Sequence, residues 1–140
     1  MNDLLARWRS LAPQLRSLLR IVAGFLFMQV GTATLYAFPA AIMPGGGTAP
    51  FGTLGWYAGV LATFGGGLLL LGLFTRPVAF LLSGEMAVAY FYAHAAQGIW
   101  PLLNQGTDAV FYCYFFLYLS AAGPGPWSLD ALVQRRRAAA

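Results

Sequence analysis

Lysine is missing from this 140-residue chain, acids number four, and histidine and cysteine occur once each. A single Cys, Cys113, leaves no disulfide framework and no CxxC pair, so a thiol–disulfide enzyme working alone is excluded. One His with so few carboxylates gives no metal-ligand set. No Ser/His/Asp, P-loop or metalloprotease spacing occurs; Gly65-Gly66-Gly67 sits inside an apolar run with no Lys after it. Charged residues are only 9% of the chain, against roughly 25% in soluble domains. That scarcity excludes a disordered chain, which needs high charge and low hydrophobicity. The 17 Gly follow no three-residue period, and no repeat is visible at longer spacing. What is abundant is apolar surface: 59% of residues are hydrophobic, more than so short a chain can hide from water. The composition therefore predicts one small integral membrane domain.

A hydrocarbon core ~30 Å thick needs roughly 20 helical residues to cross. Four stretches answer to this, at about 18–38, 54–74, 77–96 and 107–122, the last short and crowded with aromatics. Residues 39–53 hold three Pro and four Gly and make a loop. Thr75-Arg76 reads as a two-residue hairpin with Pro77 in the next helical turn, where its missing N–H is harmless. Gly123-Pro124-Gly125-Pro126 stops the last span. The expected fold is all-α: a four-helix transmembrane bundle (18–122) between an N-terminal segment (1–17) and a basic tail (123–140). The first segment reads as an amphipathic lead-in, with Trp8, Leu11 and Leu15 on one face, or as a disordered tail. The apolar core of the first span is longer than that of a cleaved signal peptide.

Four spans place all eight Arg (Arg7, Arg9, Arg16, Arg20, Arg76 and Arg135 to Arg137) on one side, and the opposite loops carry none. The positive-inside rule makes that side, with both termini, cytoplasmic. Trp8 and Trp127 fall at this interface and Trp56 and Trp100 at the other, as amphipathic rings do. A three-span arrangement would put the last three Arg outside. One cation among the central hundred residues is no nucleic-acid surface.

In lipid, helices associate through close packing and polar contacts. Gly55, Gly59, Ala62 and Gly66 keep to one face of the second span, and Gly24 and Gly31 to one face of the first; both read as packing seams. Glu85 lies near the middle of the third span, where an ionised acid costs ~2.5–3.5 kcal/mol, so it needs a partner. Arg20, the only cation inside a span, is the expected one; a protonated Glu85 bonded to Gln29 or Thr63 is the alternative. His94 is half a turn round the same helix and shares a face with Tyr90. It reads as an interfacial structural histidine or as a group that could bond a quinone carbonyl. Asn104 and Asp108 stand at the entrance of the fourth span, where Asp108 suits a helix N-terminus. Tyr112 belongs to that span's aromatic wall.

The run from Gly65 through Leu68-Leu69-Leu70-Leu71-Gly72-Leu73-Phe74-Thr75-Arg76-Pro77 resembles the signature of the DoxX family of small bacterial membrane proteins. Gly84-Glu85-Met86-Ala87-Val88-Ala89-Tyr90-Phe91, His94, Trp100-Pro101, Asn104, Tyr112-Cys113 and Gly123 through Asp130 continue the resemblance, and Leu19-Arg20-Ile21-Val22 opens it. The resemblance implies a four-helix bundle in the bacterial inner membrane, acting as an accessory subunit of a larger redox or respiratory complex or as a homo-oligomer. No cofactor is then bound directly. A quinone-reactive component, using Glu85 for protons and His94 or a Tyr to hold the ring, with Tyr90, His94, Asn104, Asp108 and Tyr112 as candidate contacts, is the second expectation, and a small transporter or channel around Glu85 and Arg20 the third. Many relatives carry Glu where this chain has Ala62, and another where it has Thr107, one residue before Asp108. Any polar site built from those acids is reduced here.

Overall fold

The computed structural model describes residues 2–139, so Met1 and Ala140, the extremes of the two tails, lie outside the described residues. It is all-helical, with six α-helices and no strand among those residues: α1 (Asn2–Ser10), α2 (Ala12–Tyr36), α3 (Leu54–Leu71), α4 (Thr75–Ala89), α5 (Thr107–Ala122) and α6 (Leu129–Ala138). A π turn (Tyr90–His94) and a 3₁₀ turn (Ala95–Gln97) prolong α4. Three helices are long and apolar enough to cross a membrane: α2, α3, and α4 with its two turns. Helix α5 is apolar but has 16 residues, or about 24 Å of rise, short of a ~30 Å core.

Local chemistry sets the boundaries. Pro13 stands in the first turn of α2, and Ala37, in the left-handed region, closes that helix. Thr53 caps α3 by accepting from Trp56 N at 3.3 Å, and Ser128 caps α6 by accepting from Ala131 N at 3.1 Å. The expected hairpin at Thr75-Arg76 is displaced. Both residues are already helical, and the turn is made by Gly72 (φ 69°) and Phe74 (φ 50°). The reason lies far along the chain: Asp130 accepts from Phe74 N and Thr75 N, each at 2.9 Å, and supplies α4 with the cap its own sequence lacks. The N-terminal segment is helical, α1 over Asn2–Ser10 and then the first turn and a half of α2. The tail too is structured: residues 123–128 fold back against α2 and α3 before α6 begins.

Helices α2 and α3 run against each other along their length, as do α4 and α5; contact between α3 and α4 is lighter. In the first pair the backbones nearly touch. A Cβ on Gly66 would lie 2.6 Å from Met28 N and 2.9 Å from Gly24 O, and one on Gly24 would lie 2.6 Å from Leu70 N. Gly31 faces the Thr63 backbone in the same way, and Ala62 is buried between them. Gly59 meets Leu35 and Thr34, whereas Gly55 touches Ala49 and Met43 of the loop and takes no part in the seam. The second pair is held by side chains, with Ser83 Oγ donating to Cys113 O at 2.8 Å. Phe27 joins the pairs, its ring edge-on to Phe116 at 5.0 Å and tilted to Tyr112 at 5.4 Å. The core is shared by four helices: Ala23 and Phe27, Ala62 and Leu69, Ala79 and Leu82, Phe116 and Leu119.

Candidate functional site

Of the four packed helices α2 to α5, two end and two begin at each end of the bundle, so each end exposes orphan carbonyls and amides that something must satisfy. At the end where α3 and α5 finish, arginines do so. Arg20 is fully buried. Its Nε donates to Pro124 O at 3.0 Å, its Nη1 to Leu70 O at 2.8 Å and to Leu69 O, and its Nη2 to Trp127 O. Arg76, at the start of α4, donates from Nη1 to Ser120 O at 3.1 Å and to Ala121 O. Each arginine therefore leaves the first turns of one helix and covers the last carbonyls of its antiparallel neighbour, where the helix dipole also favours a cation. Ser17 Oγ accepts from Trp127 N at 3.2 Å, and Asp130 N donates to Gly72 O at 2.9 Å. Gly72 must be glycine twice over. Its φ is positive, and a Cβ there would lie 2.8 Å from Arg20 Cζ and against Ser128.

The expected ion pair between Arg20 and Glu85 is not formed. Carbonyls at the end of α3 and in residues 123–128 hold all three guanidinium nitrogens, whereas Glu85 stands ten residues, about 15 Å, along α4 from Thr75. Glu85 lines an open groove of about 550 Å³ with Leu61, Pro77, Phe80, Leu81, Gly84 and Val88. Its Oε2 is buried and has no hydrogen-bond partner. Thr63, one of the alternatives, donates to Gly59 O at 2.7 Å.

The candidate ligand contacts separate into two groups. Tyr90, His94 and Asn104 meet at the end opposite the arginines, where the π turn brings the ring of His94 to the loop. His94 Nδ1 and Asn104 O are 2.9 Å apart, and Tyr90 Oη donates to Ile99 O at 2.7 Å. Asn104, 2% exposed, donates from Nδ2 to Gly98 O at 2.6 Å and accepts from Gly106 N at 2.8 Å. These three side chains fold the loop of residues 98–106. Tyr90 Oη, His94 Nδ1 and the Asn104 amide are thereby engaged with backbone groups. Asp108 lies in the first turn of α5 but makes no capping bond; Asn104 satisfies the amide just before that helix.

Asp108 and Tyr112 instead line a cleft of about 380 Å³ between α2, α5 and the loop after α2, together with Gln29 and apolar walls from Leu26, Val30 and Ile42. The lining thus combines an amide, a phenol and a carboxyl group with apolar walls. Gln29, the other alternative partner for Glu85, lines this cleft and not the groove of Glu85; its place beside Asp108 depends on how α2 crosses α5. Among the described residues no three His, Cys, Asp or Glu side chains converge as a metal site would need.

Three comparisons place these features among known proteins. The DoxX family model matches residues 15–95, from the start of α2 into the turns after α4. A protein of Haemophilus influenzae described as uncharacterized is 43% identical over 121 residues, covering 84% of this chain and 90% of its own length. No solved structure matches.

Proposed function

Since the chain belongs to the DoxX family of membrane proteins, we propose that it is a four-span scaffold that docks into a larger redox or respiratory complex as a non-catalytic accessory subunit. One observation carries this reading: apart from Glu85 and Thr75, polar side chains of the family-like motifs bond the chain's own backbone. Arg20 and Arg76 cover helix ends, and Tyr90, His94 and Asn104 fold a loop. Such residues stiffen a frame. The outward surface they leave is apolar, with Phe80, Phe91, Tyr92 and Phe111 all exposed, and suits lipid and neighbouring helices. The bacterial cytoplasmic membrane is the proposed location, with α5 as the fourth span and both termini cytoplasmic. The support is that Arg20, Arg76 and both tails gather at one end. Solubilisation in a mild detergent followed by native electrophoresis tests the role. Migration in a complex with other proteins is expected; recovery only as a monomer or homomer under every growth condition would overturn it.

The cleft of Gln29, Asp108 and Tyr112 favours one second reading, a quinone-reactive component. Tyr112 and Gln29 would hold the ring oxygens, and the quinone would supply the redox chemistry. Titration with a short-chain quinone should then show weaker binding in Tyr112→Phe and Gln29→Leu than in the wild type; equal affinity sinks it. A transport path around an Arg20–Glu85 pair lacks that pair.

A further inference from the structure

Glu85 and Gly84 are adjacent residues in the middle of α4 whose placement nothing inside the chain explains. A buried carboxyl oxygen without a donor is unfavourable, and it is most so where no water can serve. Gly84 is a poor helix former in the interior of a helix, yet a Cβ there would meet nothing within 4 Å. The seam glycines Gly24, Gly31 and Gly66 are each pressed against a neighbouring backbone. Gly84 is left open in the same way that those are occupied. The two adjacent residues share one groove, walled by Leu81 and Val88, which are themselves exposed. A small residue beside an unpaired polar group is what close helix association in a bilayer uses.

We propose that this groove receives a transmembrane helix of another protein, one that carries a basic side chain at mid-membrane depth to meet Glu85. Charge complementarity selects this occupant over a second copy. The chain has no Lys, Arg20 and Arg76 are committed at one end, and the other Arg lie in α1, the first turns of α2, and α6. In a symmetric pair sharing one membrane orientation, each residue meets groups at its own depth. A second copy then brings no cation to Glu85. A foreign helix with one Arg or Lys at its centre brings the opposite charge to Glu85 where this residue lines the groove. Its backbone approaches over Gly84. This rests on the accessory-subunit reading and names the contact that role would use.

The test uses the full-length protein in phosphatidylcholine vesicles with two synthetic probes, a Leu/Ala transmembrane peptide with one central Arg and the same peptide without it. Association is read by energy transfer between labels on protein and peptide. The wild type should bind the Arg peptide about tenfold more tightly than the apolar one. Glu85→Gln should bind the two alike, and Gly84→Leu should weaken both. Thermal unfolding of each variant checks that it is folded, and Gly84 faces open space, so its replacement leaves the interior intact. Equal binding of both peptides by the wild type overturns the proposal. So does efficient disulfide dimerisation of a Gly84→Cys, Cys113→Ser variant, which would make a second copy the occupant. Native electrophoresis decides the accessory role separately, so the two ideas can fail independently.

Discussion

The two antiparallel helix pairs use one device with different weight. In α2/α3, Arg20 crosses from the first helix to the terminal carbonyls of the second; in α4/α5, Arg76 does the same. Arg20 is fully buried beneath the folded-back residues 123–128, whereas Arg76 is exposed. The pairs differ likewise along their length. Glycines bring α2 and α3 to backbone contact, and Ser83 with its neighbours keeps α4 and α5 at side-chain distance. Chemistry alone does not set what a cap contributes; access of water to its carbonyls does. Where water can replace the guanidinium, the bond matters little, and where it cannot, removal leaves orphan groups.

The sharpest break of this comparison is Arg20→Leu. It strips Leu70 O, Pro124 O and Trp127 O of their donor in a partly buried region, so the loss should be about 3 kcal/mol or more. Thermal unfolding in detergent should show a large fall in midpoint, and proteolysis should release the C-terminal tail. A midpoint unchanged from the wild type would mean water reaches those carbonyls. Next comes Gly66→Ala, which drives a methyl into Met28 N and Gly24 O. Both are backbone atoms that cannot swing away, and the loss should be about 2 kcal/mol. Ser83→Ala in the second pair removes one buried bond to Cys113 O and should cost about 1 kcal/mol by the same assay. If Ser83→Ala proved worse than Gly66→Ala, the glycine seam would not be the tighter joint.

These differences also mark what was legible in the sequence. Helix positions followed from apolar runs and from the Pro and Gly between them, and Gly24, Gly31, Gly59, Ala62 and Gly66 announced the seam by spacing. Gly55 continues that spacing and misleads, because the helix has not yet met α2 when it passes the loop. The role of Arg20 was illegible. Its acceptors are main-chain carbonyls 49 to 107 residues away, and every residue carries one. The same holds for His94 and Asn104, whose polarity pointed to a ligand while their partners are backbone groups. Asp130 showed no sign of capping α4, since capping is normally read within a few residues of the helix it serves. For the cleft, Asp108 and Tyr112 were visible as candidates, but Gln29 joins them only through the crossing of two helices.

The smallest effect should come from Arg76→Leu, and that smallness is the test. Arg76 shares with Arg20 its position early in a helix, its charge and its terminal-carbonyl acceptors, so a view based on contacts alone predicts similar losses. Its exposure predicts otherwise. Ser120 O and Ala121 O sit at the open end of α5, and water can bond them once the guanidinium is gone. What disappears is the screened attraction between a cation and a helix C-terminus, worth about 0.3–1 kcal/mol at low ionic strength. Raising the salt concentration should shrink the gap between Arg76→Leu and the wild type, while leaving that between Arg20→Leu and the wild type nearly unchanged. A salt response of equal size in both variants would show the two caps to be equally wet, and the distinction between the pairs would rest on the glycine seam alone.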